Sequence, residues 1–524
     1  MQLPTYPSIL FAFLLSTSAP PAWAETSPGV PAPEILTPAP GEKPRLTGPK
    51  VFGVRPGSPF LFQLTATGKA PLTFSAAGLP DGLALDQATG RITGSINQAG
   101  EFAVKVEARN PIGSDSRTLR IIVGDRIALT PPMGWNSWNC WGGAVSQEKV
   151  LSSARAMVAK GLSSHGWSYI NIDDGWQGER GGPLNTIQPN KKFPDMKGLA
   201  DEIHTLGLRF GIYSTPWRGT YEGHIGSSCD NEDGTYDWIK EGKCNEYFKF
   251  TDRKLNYCFG KFPFIEPDAK QWAAWGVDYL KYDWNPIDPG HTEAMAACLL
   301  KSGRDIVYSL SNNADLKIAG DCARLSNCWR TTGDITDTWA SMSRIGFNQD
   351  AWAPFTGPGH WPDPDMLVVG KVGWGPKLHP TRLTPDEQYT HISLWCLMSA
   401  PLLLGCDLAD LDDFTIGLLT NDEVLDINQD PLGNHAVCVS SRGDARVYVK
   451  KLEDGSHAVG LFNIGPQAIP VEARWDDLKL SGRQHVRDLW RQKDLGTVES
   501  RFEAVVPSHG ALLLRLSSVG APAR

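Results

Sequence analysis

From about Ile127 to Gly433 the chain alternates between short apolar runs of strand character and longer stretches of helical spacing. This rhythm constrains the fold more than any other feature, because repeated βα units pair their strands in parallel. Gln147 to Ala159 sets Val150, Leu151, Ala154, Met157 and Val158 on one helical face, and Gly161 is a stop. Tyr169 to Ile172 then reads as a buried strand. Leu208–Tyr213, Val277–Tyr282, Ile306–Leu310 and Leu402–Leu404 each follow a predicted helix in the same way. With Met133–Trp135 first, Cys328–Arg330 sixth and a segment near Met366 seventh, eight strands are expected. Eight units over about 300 residues predict a closed (β/α)8 barrel. A doubly wound sheet is the alternative, but no glycine-rich dinucleotide loop follows any strand.

Function in a parallel barrel gathers at the C-terminal ends of the strands. The second predicted strand ends Asn171-Ile172-Asp173-Asp174, the third Tyr213-Ser214-Thr215-Pro216-Trp217 and the fourth Lys281-Tyr282-Asp283. The sixth leads to Arg330-Thr331-Thr332-Gly333-Asp334, and the seventh unit carries Pro364-Asp365-Met366. One Asp after a strand is an ordinary helix cap. Acids after four strands converge on one mouth. Carboxylates interleaved with Trp suit sugar hydroxyls and apolar ring faces, and glycosidic hydrolysis needs two carboxyls flanking the bond. The 19 Trp residues fit that reading and a large aromatic core equally well.

The rest of the chain divides by composition. Residues 1–24 read as a signal peptide, with the apolar run Ile9 to Leu15 and the cleavage pattern Ala22-Trp23-Ala24, although no Lys or Arg precedes the run. The expectation is a secreted or periplasmic protein cleaved near Ala24. Residues 25–48 form a Pro/Ser/Thr/Gly-rich linker. Residues 49–124 alternate short strands with turns such as Gly78-Leu79-Pro80-Asp81-Gly82, the pattern of an Ig-like β-sandwich and an expected spacer. Residues 127–432 are the barrel, and 435–518 an antiparallel β domain. Ten Cys fit a compartment that permits disulfides, with connectivity open. No CxxC pair supports a metal site, and no cofactor is implied. A net charge of −8 without a long basic run argues against nucleic acid, and no stretch is long enough to span a membrane. A homo-oligomer is left open.

Together Met133-Gly134-Trp135-Asn136-Ser137-Trp138, Asp173-Asp174, Lys281-Tyr282-Asp283, Arg330 to Asp334, Pro364-Asp365-Met366-Leu367 and Asn428-Gln429-Asp430-Pro431-Leu432-Gly433 resemble glycoside hydrolase family 27. The resemblance spans about residues 127–518. It implies a retaining enzyme that releases terminal α-galactose, with Asp283 as nucleophile and Asp334 as acid/base. Retention implies carboxyls about 5–5.5 Å apart. It also implies that Asp173 and Asp174 bind O4 and O6, that Lys281 reaches O3 or O4, and that Arg330 and Asp365 hold O2 or O3. Trp135 would pack on the apolar sugar face, with Tyr213 and Met366 lining the pocket. Lys281 near Asp283 would favour its ionised form.

Three departures from the family pattern matter. Gly175 follows the Asp pair and Trp284-Asn285 follows Asp283, where many members carry Cys, so the usual disulfides there cannot form. After the fifth strand the family's Cys-Glu-Trp, whose Glu contacts O2, is replaced by Ser309-Leu310-Ser311-Asn312-Asn313. Ser311 or Asn312 could hydrogen-bond O2 or leave room for a 2-acetamido group. An α-N-acetylgalactosaminidase or a β-L-arabinopyranosidase on the same scaffold is therefore the alternative. The retained acidic pair favours galactose. A non-catalytic galactose-binding protein is a third reading, against which both catalytic Asp residues stand.

Overall fold

The computed structural model of the chain describes residues 33–236 and 257–519. The expected signal peptide lies outside the described residues. The described residues from Ile35 onward form one compact unit.

Eight strands form the expected barrel. They are β1 (Met133–Asn136), β2 (Tyr169–Asn171), β3 (Arg209–Ser214), β4 (Tyr279–Asp283), β5 (Val307–Ser311), β6 (Cys328–Arg330), β7 (Trp361–Asp363) and β8 (Leu402–Leu404). All neighbours run parallel, in the order 7-6-5-4-3-2-1-8. A parallel bridge from Leu367 to Leu404 closes the ring, with Leu367 N donating to Leu403 O and Gly405 N to Leu367 O. Seven strands fall where periodicity predicts, within one or two residues. The seventh sits earlier than expected, at Trp361–Asp363 rather than near Met366. Pro362 and Pro364 disguise it, since Pro lacks an amide and is a poor strand signal.

Local chemistry explains the helices. Ser146 caps Gln147–Ala159 by accepting from Lys149 N, and the chain leaves that helix through Gly161 at φ +81°. Asp288 caps Pro289–Lys301, with Pro at the first turn where no amide is needed. Thr384 and Glu387 form a reciprocal capping box on Pro385–Leu397. Each helix packs against the outward strand residues, such as Ile170, Ile212 and Leu280, all fully buried. The alternate residues point inward. Tyr169, Tyr279, Val307, Cys328, Trp361, Met366 and Leu403 fill the barrel interior as one cluster.

Residues 45–123 form β-sheets of four, three and two strands around their own core, including Ile92, Val104, Val106, Leu119 and Ile121. Arg45–Thr47, part of the expected linker, is a strand paired with Thr65–Thr67. A six-stranded antiparallel sheet and a two-stranded one occupy 437–518 over a third core.

The Ig-like module is fastened to the barrel rather than strung away from it as a spacer. Asp305, just before β5, accepts from Arg55 N, Arg55 Nη1 and Ser58 Oγ. Arg209, which opens β3, donates to Leu61 O and stacks 4.7 Å from the Phe52 ring. Arg91 reaches the carbonyls of His204 and Thr205. These contacts sit at the N-terminal ends of the strands, so the module covers the bottom and leaves the mouth open.

Eight of the nine described Cys, Cys258 apart, are free thiols, which overturns the disulfide expectation for those residues. Six of the nine are buried, acting as small apolar side chains in the cores. No helix among the described residues is long and apolar enough to cross a membrane.

The clamp at Asp305 is testable. Asp305→Ala strands three part-buried donors and should cost about 1–3 kcal/mol. Chemical denaturation reads the loss, and limited proteolysis should find the Ig-like module cleaved first.

Candidate active site

Strand alternation brings the acids together. In β4, Tyr279, Lys281 and Asp283 share the inner face while Leu280 and Tyr282 face the helices. Register then sets Lys281 beside Tyr213 and Ser309, and Asp283 beside Ser311. Arg330 pairs with Asp363 in the same way.

Lys281 Nζ lies 2.8 Å from Asp173 Oδ2 and 5.5 Å from the Tyr213 ring centre. Its hydrogen bond goes to Asp173, while its charge favours ionised Asp283, as the sequence reading expected. Burial pushes the Asp283 carboxyl up to about 6, and Lys281 opposes that rise through its charge alone. Asp283 Oδ1 accepts from Asn312 Nδ2 at 3.3 Å. Burial disfavours the Lys281 ammonium, yet Asp173 and Asp283 outweigh it and hold the ammonium protonated.

Asp174 is 1% exposed. Its Oδ2 accepts from Glu222 N at 2.8 Å, while its buried Oδ1 has no partner. Burial raises Asp174 to about 8 against the bonds from Glu222 N and Thr220, so it is mostly protonated at neutral pH. Tyr213 is buried with its hydroxyl unpartnered. Both atoms are free to meet a polyhydroxylated ligand, because an unpaired buried polar group is costly until something binds it.

Arg330 organises the other side. Its Nη2 is 2.8 Å from Asp365 Oδ2 and 3.2 Å from Asp334 Oδ1. Burial works to raise Asp334, but Arg330 and then Lys281 hold it below its usual value. The Asp334 side chain is 66% exposed, so it reaches into the mouth rather than the core. Asp365 is buried, and burial raises its pKa against Arg330. Its backbone sits at φ +84°, a strained value for a non-glycine residue. Four interactions over-determine it. Asp365 N donates to Asp363 Oδ1, Ile335 N to Asp365 Oδ2, Trp395 Nε1 to Asp365 O, and Arg330 pairs with the carboxylate. Burial likewise lifts Asp363 to about 7.

Asp173, Asp174, Tyr213, Lys281, Asp283, Asn312, Arg330, Asp334 and Asp365 are therefore linked in one site, with Ser311 beside Asp283 in register and Met366 in the inner cluster. Trp135 is not brought there. It is fully buried, pairs with Ile170 and Leu404 on the outward face, and gives its indole N–H to Cys406 O. Trp138, in the same motif, packs against the inner cluster with Met366 instead. Sequence reasoning also passed over Tyr221, whose hydroxyl accepts from Asn312, and Asp363, which lay within a motif already singled out.

A closed parallel barrel with carboxyls gathered at its mouth has the parts that glycoside hydrolysis needs. Residues 130–250 and 243–430 match the family model described as Alpha galactosidase A. Residues 442–516 match the Alpha galactosidase C-terminal beta sandwich domain, and 43–124 an Ig domain. Alpha-galactosidase 2 of Arabidopsis thaliana is 35% identical over 413 residues, covering 77% of this chain and 93% of its own. A Bacteroides fragilis crystal structure, 32% identical, superposes with a TM-score of 0.79 over 91% of this chain and 98% of its own. A β-L-arabinopyranosidase of Geobacillus stearothermophilus is 30% identical, with a TM-score of 0.63 over 76% of this chain and 98% of its own. The chain belongs to glycoside hydrolase family 27, the α-galactosidase family, and is a glycosidase.

Arg330 is the structural pin of this site. Arg330→Met leaves Asp365 buried without a counter-charge and should cost about 3–5 kcal/mol. A denaturation midpoint unchanged from wild type would contradict that assignment.

Proposed function

We propose that the protein releases terminal non-reducing α-D-galactose from oligo- or polysaccharides by double displacement. The observation that carries this is the pair of unlike carboxyls, Asp283 buried near Lys281 and Asp334 exposed beside Arg330. Asp283 attacks the anomeric carbon and displaces the glycosidic oxygen, which takes a proton from Asp334. Asp334, now ionised, draws a proton from water as the water attacks the glycosyl ester and frees Asp283.

Asp173 and Asp174 are the partners of O4 and O6, and protonated Asp174 can donate where an ordinary Asp can only accept. Lys281, held by Asp173, stands ready for O3 or O4. Arg330 and Asp365 serve O2 or O3, with Ser311 and Asn312 beside C2. Tyr213 and Met366 complete the wall. The carbohydrate is the only partner the mechanism requires. Cleavage near Ala24 would deliver the enzyme outside the cytoplasm, to its glycoside substrates.

Protonation is opposite to the resting need, since Arg330 keeps Asp334 low. A bound sugar expels water from Asp334, and burial then favours its acid form. The free pair requires one proton between its two carboxyls, and the second of the two leaves at about pH 6. kcat/KM should therefore be greatest on the acid side and fall about tenfold per unit above about pH 6. Initial rates from pH 3 to 9 check this, and a plateau extending to pH 8 would contradict it.

Asp283→Ala should lose at least about 10⁴-fold in kcat on p-nitrophenyl α-galactoside. Azide should restore turnover and yield β-galactosyl azide. Wild type should favour the α-galactoside over the matching α-N-acetylgalactosaminide and β-L-arabinopyranoside. A well-folded wild type inert on the galactoside sinks the proposal, and preference for either other sugar moves the enzyme to that activity.

A further inference from the structure

The loop after β3 returns over the mouth and touches both ends of the sugar site. Glu222 N holds Asp174 Oδ2 at 2.8 Å. One residue earlier, the Tyr221 hydroxyl accepts from Asn312 Nδ2 at 3.3 Å. The same Nδ2 donates to Asp283 Oδ1, also at 3.3 Å. Asn312 thus bridges the attacking carboxylate and a phenol that arrives from a different strand.

Tyr221 is held in place. Its ring lies 5.6 Å from Trp217 and 4.9 Å from Tyr257, in tilted and edge contacts. Its oxygen is spent as an acceptor, but its proton has no acceptor among the described residues. Burial first, and then the Asp283 charge, push the phenol pKa upward, so the proton stays on. A half-buried donor is therefore left pointing at no protein partner beside the attacking carboxylate.

The chemistry of the sugar says what it meets. When Asp283 bonds C1, groups flanking its carboxylate come within reach of the ring positions next to C1, of which C2 carries the hydroxyl. The family's acidic contact to O2 is missing after β5, where the chain reads Ser311-Asn312-Asn313. Arg330 Nη2 is already shared among Asp365, Asp334 and Thr332 O. We propose that the Tyr221 hydroxyl, set by Asn312, donates a hydrogen bond to the C2 hydroxyl and selects it over hydrogen or a 2-acetamido group. This rests on the galactosidase reading above. A bond to O2 strengthens as charge develops at the anomeric centre, so it acts mainly on turnover.

The test uses full-length wild type and Tyr221→Phe, with p-nitrophenyl α-galactoside and its 2-deoxy analogue. Wild type should lose at least about tenfold in kcat/KM on the 2-deoxy substrate. Tyr221→Phe should lose about tenfold on the parent and less than about twofold on the analogue. The unfolding midpoint of Tyr221→Phe, measured alongside, should match wild type. Equal losses on both substrates, no loss on the parent, or a wild type indifferent to the C2 hydroxyl would each overturn the inference. A wild type inert on the parent sinks instead the galactosidase reading, and this inference with it.

Discussion

Five aspartates, 173, 174, 283, 363 and 365, are at most 5% exposed at the barrel mouth, and two cations, the buried Arg330 and the part-buried Lys281, stand among them. Lys281 and Arg330 cannot neutralise five carboxylates, and uncompensated charge in a desiccated site costs several kcal/mol. The excess resolves itself through protons. Asp174 rises to about 8, Asp363 to about 7 and Asp283 to about 6, each chiefly through burial. Acids able to donate and acids able to attack thus coexist within one ring of strands. This imbalance, rather than any single residue, sets the chemistry the mouth can do.

The barrel provides the rigidity that such a site requires. Closure through Leu367 and Leu404 removes both sheet edges, and period-two alternation aims every second side chain of β4 at the axis. Asp365 persists at φ +84° because four separate interactions hold it there. Strain of that kind, of order 1–3 kcal/mol, survives only in a frame that cannot relax around it. The Ig-like module contributes from below, through Asp305, Arg209 and Phe52, while the loops above remain free to contact substrate.

Two loops divide the work of recognition. The Asp173-Asp174 turn faces the side of the sugar that carries O4 and O6, in the reading proposed here. The β3 loop links that turn to Asp283 through Glu222 N, Tyr221 and Asn312. A change after β5, where the expected acid is absent, is thereby met from β3. Specificity at C2 is in this view a property of two loops in contact and not of one motif.

Much of this was legible in the amino-acid order alone. Alternating apolar runs determined eight parallel strands, and acids after the second, fourth, sixth and seventh marked the mouth, because strand direction in a closed barrel leaves them nowhere else to go. Spacing could not say that Trp135 turns outward and Trp138 inward, since one motif carries both and only the register with Ile170 and Leu404 separates them. Nor could it distinguish bridged from buried Cys, place β7 among its prolines, or hand the Lys281 hydrogen bond to Asp173. Tyr221 had no local signal at all, because its meaning arises from a contact 91 residues away. Periodicity is a local property and survives in sequence; protonation and pairing depend on which charges meet in the dark of the fold, and only the tertiary structure decides that.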